Sequence, residues 1–516
     1  MRGASVFNRV IGPVMRGPSS SHTAGAFHIA AMARSMLGRA PIRARFAFDP
    51  GGSYAKCYRS QGADKAFAAG LLGWRITDDR FPSALAGAAQ AGMRVEFLEQ
   101  PLAGAGHPNA VEVELAAADG RTLSARANSV GGGAVEFVRL GGWPVCFTGD
   151  AWEVAVEAEP CAASEAVALL GADGALMGEA QCQEFRGLCL VWARRRERLA
   201  HEAQERLAAT RGVRVVWACE PVFFVPAGEP GFASAAEMAA MSLQQGISLG
   251  QTALEYEARL LALPESAVLA EMGRRLDVML DAVELGLTAP PAMRLLDASA
   301  GRVLRAEREG RLAAGGLHAR AAARALAAMH VSSGGGVVCA APTGGSAGVL
   351  PAVLATLMAE LGVSRERAAL ALLAAGAIGV VVANRATFAA EVAGCQVEIG
   401  AAGAMAAAAV ADAVGARADQ AADAAAIAFQ NTMGSVCDLV QGIVEIPCHT
   451  RNAAAAANAF LCADLILGGY ENPIPLDETI DAVYASGCML PAELRCTARG
   501  GLAAAPSARA LEARGS

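Results

Sequence analysis

Three cysteines stand where thiol chemistry is feasible: Cys395 in "AGCQVEIGAAGAM" (393–405), and Cys437 and Cys448 in "GSVCDLVQGIVEIPC" (434–448). The eleven-residue separation of the last two is too wide for a CxxC redox pair. Glycine and proline around all three suit loop thiolates, and soft thiolates select zinc, copper(I) or an iron–sulfur cluster. A structural zinc wants four closed ligands, commonly with CxxC pairs. Three scattered cysteines without a local fourth fit instead a cluster with one iron open to a substrate. Spacing alone leaves inert core thiols as the competing reading. That plainer reading is given to Cys57, Cys146, Cys161, Cys182, Cys189, Cys219, Cys339 and Cys462, which have no ligand-like setting.

Two further segments are built for anions. "RGPSSSHTAG" (16–25) places Ser19, Ser20, Ser21, His22 and Thr23 immediately before a predicted helix. Free N–H groups at a helix start attract carboxylate or phosphate, hydroxyls add donors, and His22 can transfer protons near neutral pH. An ordinary N-cap with solvated serines is the alternative, although a cap needs only one of them. "AAPTGGSAGVLPAVL" (340–354) is a glycine-rich loop feeding a helix, where Gly344, Gly345 and Ser346 offer backbone N–H groups. It lacks the lysine of a P-loop, and a tight helix–helix connection explains it equally well.

The elements that must position these segments fall into three parts of an α+β multidomain chain. Residues 1–150 mix helix and strand: a helix over "AGAFHIAAMARSMLG" ending at Gly38, then strands at "IRARFAFD", "RVEFLEQ" and "AVEVELAAADGRTLSARANSV", the last folded at its "DG" turn. "VGGGAVEFV" adds a glycine triplet before another strand. Residues 151–225 read βαββαβ, with "ALMGEAQ" and "GLCLVWA" as the central strand pair, which predicts a small ferredoxin-like module. After the Pro/Gly linker "VPAGEPGFAS", residues 234–510 read as an all-α domain whose alanine tracts are interrupted by regularly spaced Leu, Val and Met.

Composition excludes several classes. A net charge of −7 over 516 residues argues neither for nucleic acid nor for a membrane surface. The N-terminal stretch lacks the apolar run of a signal peptide. "ALALLAAGAIGVVVA" (369–383) is short for a membrane span, so a buried helix and a cytoplasmic protein are expected. Lys56 and Lys65 are the only lysines, and neither has a setting known for a Schiff base, so no pyridoxal phosphate is expected.

Taken together, "GPSSSHTAG", "VGGG", "APTGGSAGVLPAV", "GCQVEIG", "GSVCDLVQGIVEIPCHTRNA" and "RGGLA" resemble the iron–sulfur-dependent L-serine dehydratases (L-serine ammonia-lyases), in family order from about residue 10 to 503. The resemblance implies a [4Fe–4S] cluster on Cys395, Cys437 and Cys448, with β-elimination of an amino-acid substrate to pyruvate and ammonia. His22 is assigned as proton acceptor from its place among hydroxyls at a helix start, and the resemblance implies a substrate held by Ser19, Ser20, Ser21, Thr23, Thr343, Gly344, Gly345, Ser346, Arg451 and Asn452. A first domain of the beta-chain type, an ACT-like middle module, a likeness to homodimeric enzymes and a place in amino-acid degradation and gluconeogenesis follow from it as well.

Three departures stand out: "QGAD" (Gln61–Asp64) where relatives often carry His-Gly-Thr-Asp, Gly344 where a polar residue is common, and a tail, "SARALEARGS", without a cysteine. The last predicts that no protein thiol closes the cluster. A lyase for L-cysteine or another 3-hydroxy amino acid, a metal-free amino-acid sensor and a zinc-site protein are the competing functions.

Overall fold

The structure is a computed structural model that describes residues 3–514. In the first part, a six-stranded sheet runs in the order Arg94–Glu99, Pro41–Phe48, Ala110–Ala117, Thr122–Gly131, Ala134–Leu140, Trp143–Phe147. Its first pair is parallel and the others antiparallel. The "DG" turn closes the hairpin between Ala110–Ala117 and Thr122–Gly131 as expected, with Gly120 at φ +88°. Helices Gly25–Leu37 and Ala63–Leu72 cover the sheet through Ile29, Ala33, Phe67 and Ala66 against Phe46, Phe48 and Phe137. Gly38, left-handed at φ 70°, stops the first helix where the sequence predicted.

The middle part has the element order β-α-β-β-α-β, and its four strands lie fourth–first–third–second across the sheet. One strand is displaced from expectation. Residues Gln181–Phe185 pair with Leu188–Arg195, so of "ALMGEAQ" only its last residue, Gln181, enters the strand, and Leu176 adds an isolated bridge to Arg195. The turn decides this: Arg186 and Gly187 both have positive φ, 52° and 78°, which suits a two-residue hairpin and fixes Phe185 opposite Leu188.

From Ala235 onward the chain is mainly helical, and Arg365–Arg385 lies at the centre of an alanine-rich core. Small side chains let backbones approach closely there: a Cβ on Gly376 would lie 2.6 Å from Val6 Cγ1, and one on Gly379 would collide with Val10. Val6–Val10 therefore packs inside the helical core although it opens the chain. Glu257 holds this turn by accepting from the backbone N–H of Val6 (2.8 Å) and Phe7 (3.0 Å). The region is not all helix, because Val337–Cys339 forms a strand antiparallel to Val14–Arg16. Helical periodicity could not signal a strand of three residues whose partner lies more than 300 positions away. Two helical stretches, Gly344–Leu361 and Arg365–Arg385, are long and apolar enough to cross a membrane, and most of each is buried inside the protein.

His28, on the first helix, is buried with Nδ1 2.7 Å from the Gly133 carbonyl, and burial pulls its pKa from 6.5 to about 4. The folded value lies below the unfolded one, so the unfolded chain takes up the proton first as pH falls. The stability contributed by neutral His28 is complete above pH 6.5 and is lost toward pH 4. The slope is at most about 1.4 kcal/mol per pH unit. Urea unfolding at pH 7 and pH 5 should show a smaller difference for His28→Asn than for the unaltered protein.

Candidate active site

The serine and glycine loops meet. Ser19 caps a wide helical turn, Ser20–Ala24, by accepting from the His22 N–H at 3.1 Å, and the helix Gly25–Leu37 continues from it. Thr343 caps the Gly344–Ser346 turn in the same way, its Oγ1 accepting from the Ser346 N–H at 3.2 Å. The two turns touch through backbone: a Cβ on Gly344 would stand 2.8 Å from the Pro18 carbonyl oxygen and 3.0 Å from the Ser20 nitrogen. Gly344, a departure from the resemblance, is thus the residue that permits the contact. Ser346 Oγ donates to the Ala341 carbonyl and Thr23 Oγ1 to the Gln61 carbonyl, so both hydroxyls serve the loops themselves.

His22 is fully buried in this junction. Its Nδ1 lies 3.1 Å from Ser21 Oγ and 3.6 Å from Glu391 Oε1, and its Nε2 lies 3.1 Å from Ser53 Oγ. Ser21 Oγ donates to Glu391 Oε1 at 2.7 Å, and Ser53 Oγ donates to the Cys496 carbonyl at 3.0 Å. Each hydroxyl has committed its proton elsewhere and presents lone pairs to the imidazole. Burial lowers the His22 pKa while Glu391 raises it, and the net direction is downward. The ring is therefore neutral near pH 7 and able to accept a proton.

Cys395, on a short turn, Cys437, in an irregular stretch, and Cys448, at the start of the helix Cys448–Leu467, are all buried, and Cys448 is near enough to Cys395 for the two to interact electrostatically. Cys395 Sγ, Cys437 Sγ and a Glu398 carboxylate oxygen lie within 4.8 Å of one another. Contact with Cys437, opposed by burial and aided by Arg451, lowers the Cys395 pKa. Contacts with Cys395 and Cys496, together with burial, push Cys437 well up. Burial and then Cys395 do the same for Cys448. Burial, Cys395 and Glu391 push Glu398 well above the ordinary carboxylate range. A cavity of about 430 Å³ reaches Cys395 and Arg451 between Asn431, Thr432, Ser435 and Asn458.

Several expectations change here. A fourth thiol is present: Cys496 is buried, its N–H donates to the Cys437 carbonyl at 2.9 Å, and the two side chains are in hydrogen-bonding contact. The tail itself ends outside the described residues at positions 515–516, while "LRCTARGG" folds back beside Cys437 and brings Cys496 to it. Cys57, set aside as a plain core thiol, lies close enough to Cys496 and Glu391 for both to raise its pKa, after burial.

Asn452 is engaged within the protein. Its amide donates to the carbonyls of Gly345 (2.9 Å) and Cys448 (2.8 Å) and accepts from the Gly348 N–H (3.1 Å), which exhausts its donors and clamps the glycine loop to the cysteine helix. Arg451 pairs with Asp438 at 2.9 Å and donates to the Val436 carbonyl, so its charge supports the Cys395 thiolate. Gln61, in the "QGAD" departure, donates to the Gly442 carbonyl and ties the first part to the Cys437–Cys448 loop.

Ser53, Glu391 and Glu398 escaped the sequence reading, and Cys496 was seen there only as lying twenty residues before the end of the chain. Only Glu398 carried a local signal, three residues after Cys395 in "CQVEIG".

The family model described as "Serine dehydratase alpha chain" matches residues 232–503, more than half of the chain. This chain belongs to the serine dehydratase alpha-chain family. "Probable L-serine dehydratase, alpha chain" of Bacillus subtilis is 38% identical over 282 residues, 54% of this chain and 94% of that protein. "L-serine dehydratase, alpha chain" of Peptoniphilus asaccharolyticus is 35% identical over 262 residues, 50% of this chain and 90% of that protein. "L-serine dehydratase 1" of Escherichia coli is 39% identical over 181 residues, 35% of this chain and 40% of that protein.

In this serine dehydratase alpha-chain fold the buried sulfur-rich donor set fits a metal centre of the iron–sulfur kind. Thiols that crowd one another hold their protons, and a bound cation reverses that preference. The loop junction makes a steric prediction. Gly344→Ala should lower stability by about 1–3 kcal/mol, because backbone on both sides must move. Thermal unfolding of the variant, which leaves every side chain of the site in place, checks it.

Proposed function

We propose that the protein removes water from L-serine, yielding pyruvate and ammonia, at a [4Fe–4S] cluster held by Cys395, Cys437 and Cys448. The observation that carries this reading is that the buried thiols of the family-matched region share their neighbours Glu398 and Cys496 with the network of His22, Ser53 and Glu391. Bound there, the cluster supplies a Lewis acid for the substrate hydroxyl. The protein supplies the remainder.

Backbone N–H groups of the serine and glycine turns, with Ser19, Ser20, Gly344 and Gly345, offer an anion site for the substrate carboxylate. His22 removes the Cα proton. Its two hydroxyl neighbours both accept, so neutral His22 can serve only one of them, whereas protonated His22 donates to both beside Glu391. These partners offset part of the cost that burial places on the imidazolium that proton abstraction creates. Departure of hydroxide then leaves an aminoacrylate, which water converts to pyruvate and ammonia. Burial of the network keeps bulk water from competing for the proton. On the same reading the first 150 residues act as a beta-chain-type domain, the β-α-β-β-α-β part as an ACT-like module, and the enzyme as a cytoplasmic homodimer in amino-acid degradation and gluconeogenesis.

Protein purified without oxygen should carry about four irons per chain, since each cluster of this kind contains that number. It should form pyruvate from L-serine. A colourless, iron-free, folded protein would refute the reading. Cys437→Ser should remove both the visible absorbance and the turnover, and exposure of the unaltered enzyme to air should remove turnover along with the absorbance.

A further inference from the structure

Glu391 is the most conspicuous buried charge-bearing side chain that the proposed mechanism leaves half used. It is 5% exposed and sits on the short helix Ala390–Ala393, just ahead of Cys395. One carboxylate oxygen is engaged, with Oε1 accepting from Ser21 Oγ and lying 3.6 Å from His22 Nδ1. The other, Oε2, is buried and has no hydrogen-bond partner among the described residues. A carboxylate oxygen stripped of water and given no donor is costly, and native proteins rarely retain one without a use. The field of this carboxylate is felt by Tyr54, Cys57, Glu398 and Cys496, which places it among the groups that surround the reacting centre.

We infer that Glu391 Oε2 receives the α-ammonium group of the substrate and so makes the enzyme select amino acids over 2-hydroxy or unsubstituted 3-hydroxy acids. This rests on the serine dehydratase reading above. The two ends of an amino acid then find opposite environments: the carboxylate meets turn N–H groups and hydroxyls, and the ammonium meets a carboxylate oxygen that lacks a donor. The same contact aims the reaction. The N–Cα bond is about 1.5 Å long, so an ammonium held on Glu391 brings the Cα proton to the neighbourhood of the His22 ring, which the other oxygen of Glu391 already adjoins. Glu398 is the nearest rival acid, but Thr343 hydrogen-bonds to it and its carboxylate faces the thiols.

The test uses the anaerobic holoenzyme, with L-serine turnover by the unaltered protein measured first; absence of that turnover would overturn the functional reading itself. With turnover in hand, inhibition by L-alanine, L-lactate and 3-hydroxypropionate is compared. L-Alanine keeps the ammonium, whereas the other two lack it. The unaltered enzyme should bind L-alanine at least about tenfold more tightly than L-lactate, the factor expected for a hydrogen bond to a charged group. Equal binding of the two would overturn the inference while leaving serine dehydration intact, and this comparison needs no variant. Glu391→Gln, with its cluster absorbance verified, should raise the KM for L-serine by tenfold or more and abolish the preference for L-alanine over L-lactate. Glu391→Asp should retain that preference. A Gln variant that keeps both the KM and the preference would also overturn the assignment.

Discussion

The site depends on one backbone-to-backbone contact. The turn at Gly344 lies against Pro18 and Ser20 so closely that no side chain fits between them. A strand pair, Val14–Arg16 with Val337–Cys339, brings the two segments together just before they meet. Beyond it, Gly17 accommodates the Ser332 backbone, and Asn452 ties the glycine loop to the Cys448 helix. The serine–histidine segment is therefore docked on the helical region by main-chain geometry, which is stiffer than any side-chain contact. Rigid placement of this sort is what a proton acceptor and a metal centre from distant parts of a chain require.

Around that junction the electrostatics are unbalanced on purpose-built lines. Glu391, Glu398 and the thiols Cys395, Cys437, Cys448 and Cys496 share a buried volume in which Arg451 is the main cation, itself partly occupied by Asp438. In this low-dielectric interior Glu398, Cys437 and Cys448 are pushed toward their protonated forms, whereas contact with Cys437 and the charge of Arg451 pull Cys395 the other way. A cationic centre at the sulfurs and an ammonium at Glu391 would compensate this imbalance from two sides. The helices around it are packed through alanine and glycine, which brings backbones close and leaves few side chains free to rearrange.

The organisation of the chain departs from a linear reading in one instructive way. Residues Val6–Val10 begin the sequence yet are part of the helical core, held by Glu257 and fitted against Gly376 and Gly379. The first α/β layer is thus tethered to the helical region at its beginning, through the strand pair, and again through Gln61 and Ser60 on the Gly442 carbonyl. The middle β-α-β-β-α-β part contributes none of the residues that surround His22.

Local chemistry was legible in the residues themselves. Helix stops at glycine, the "DG" hairpin, the serine and glycine caps and the three loop cysteines each follow from short-range geometry, and each needs only a few neighbouring residues to be read. Glu391, Ser53 and Cys496 were not, because their significance comes from partners 370, 31 and 59 positions away and no spacing rule encodes such distances. The structural part of Asn452 was hidden for the same reason: its amide suits a ligand or a clamp equally, and only its three partners show the clamp. The sequence by itself determined which side chains are chemically able, since that depends on residue type and local conformation. Tertiary structure alone decided which of them share a buried volume, because proximity across hundreds of residues is settled by packing, and burial is what turns an ordinary carboxylate and thiol into a site.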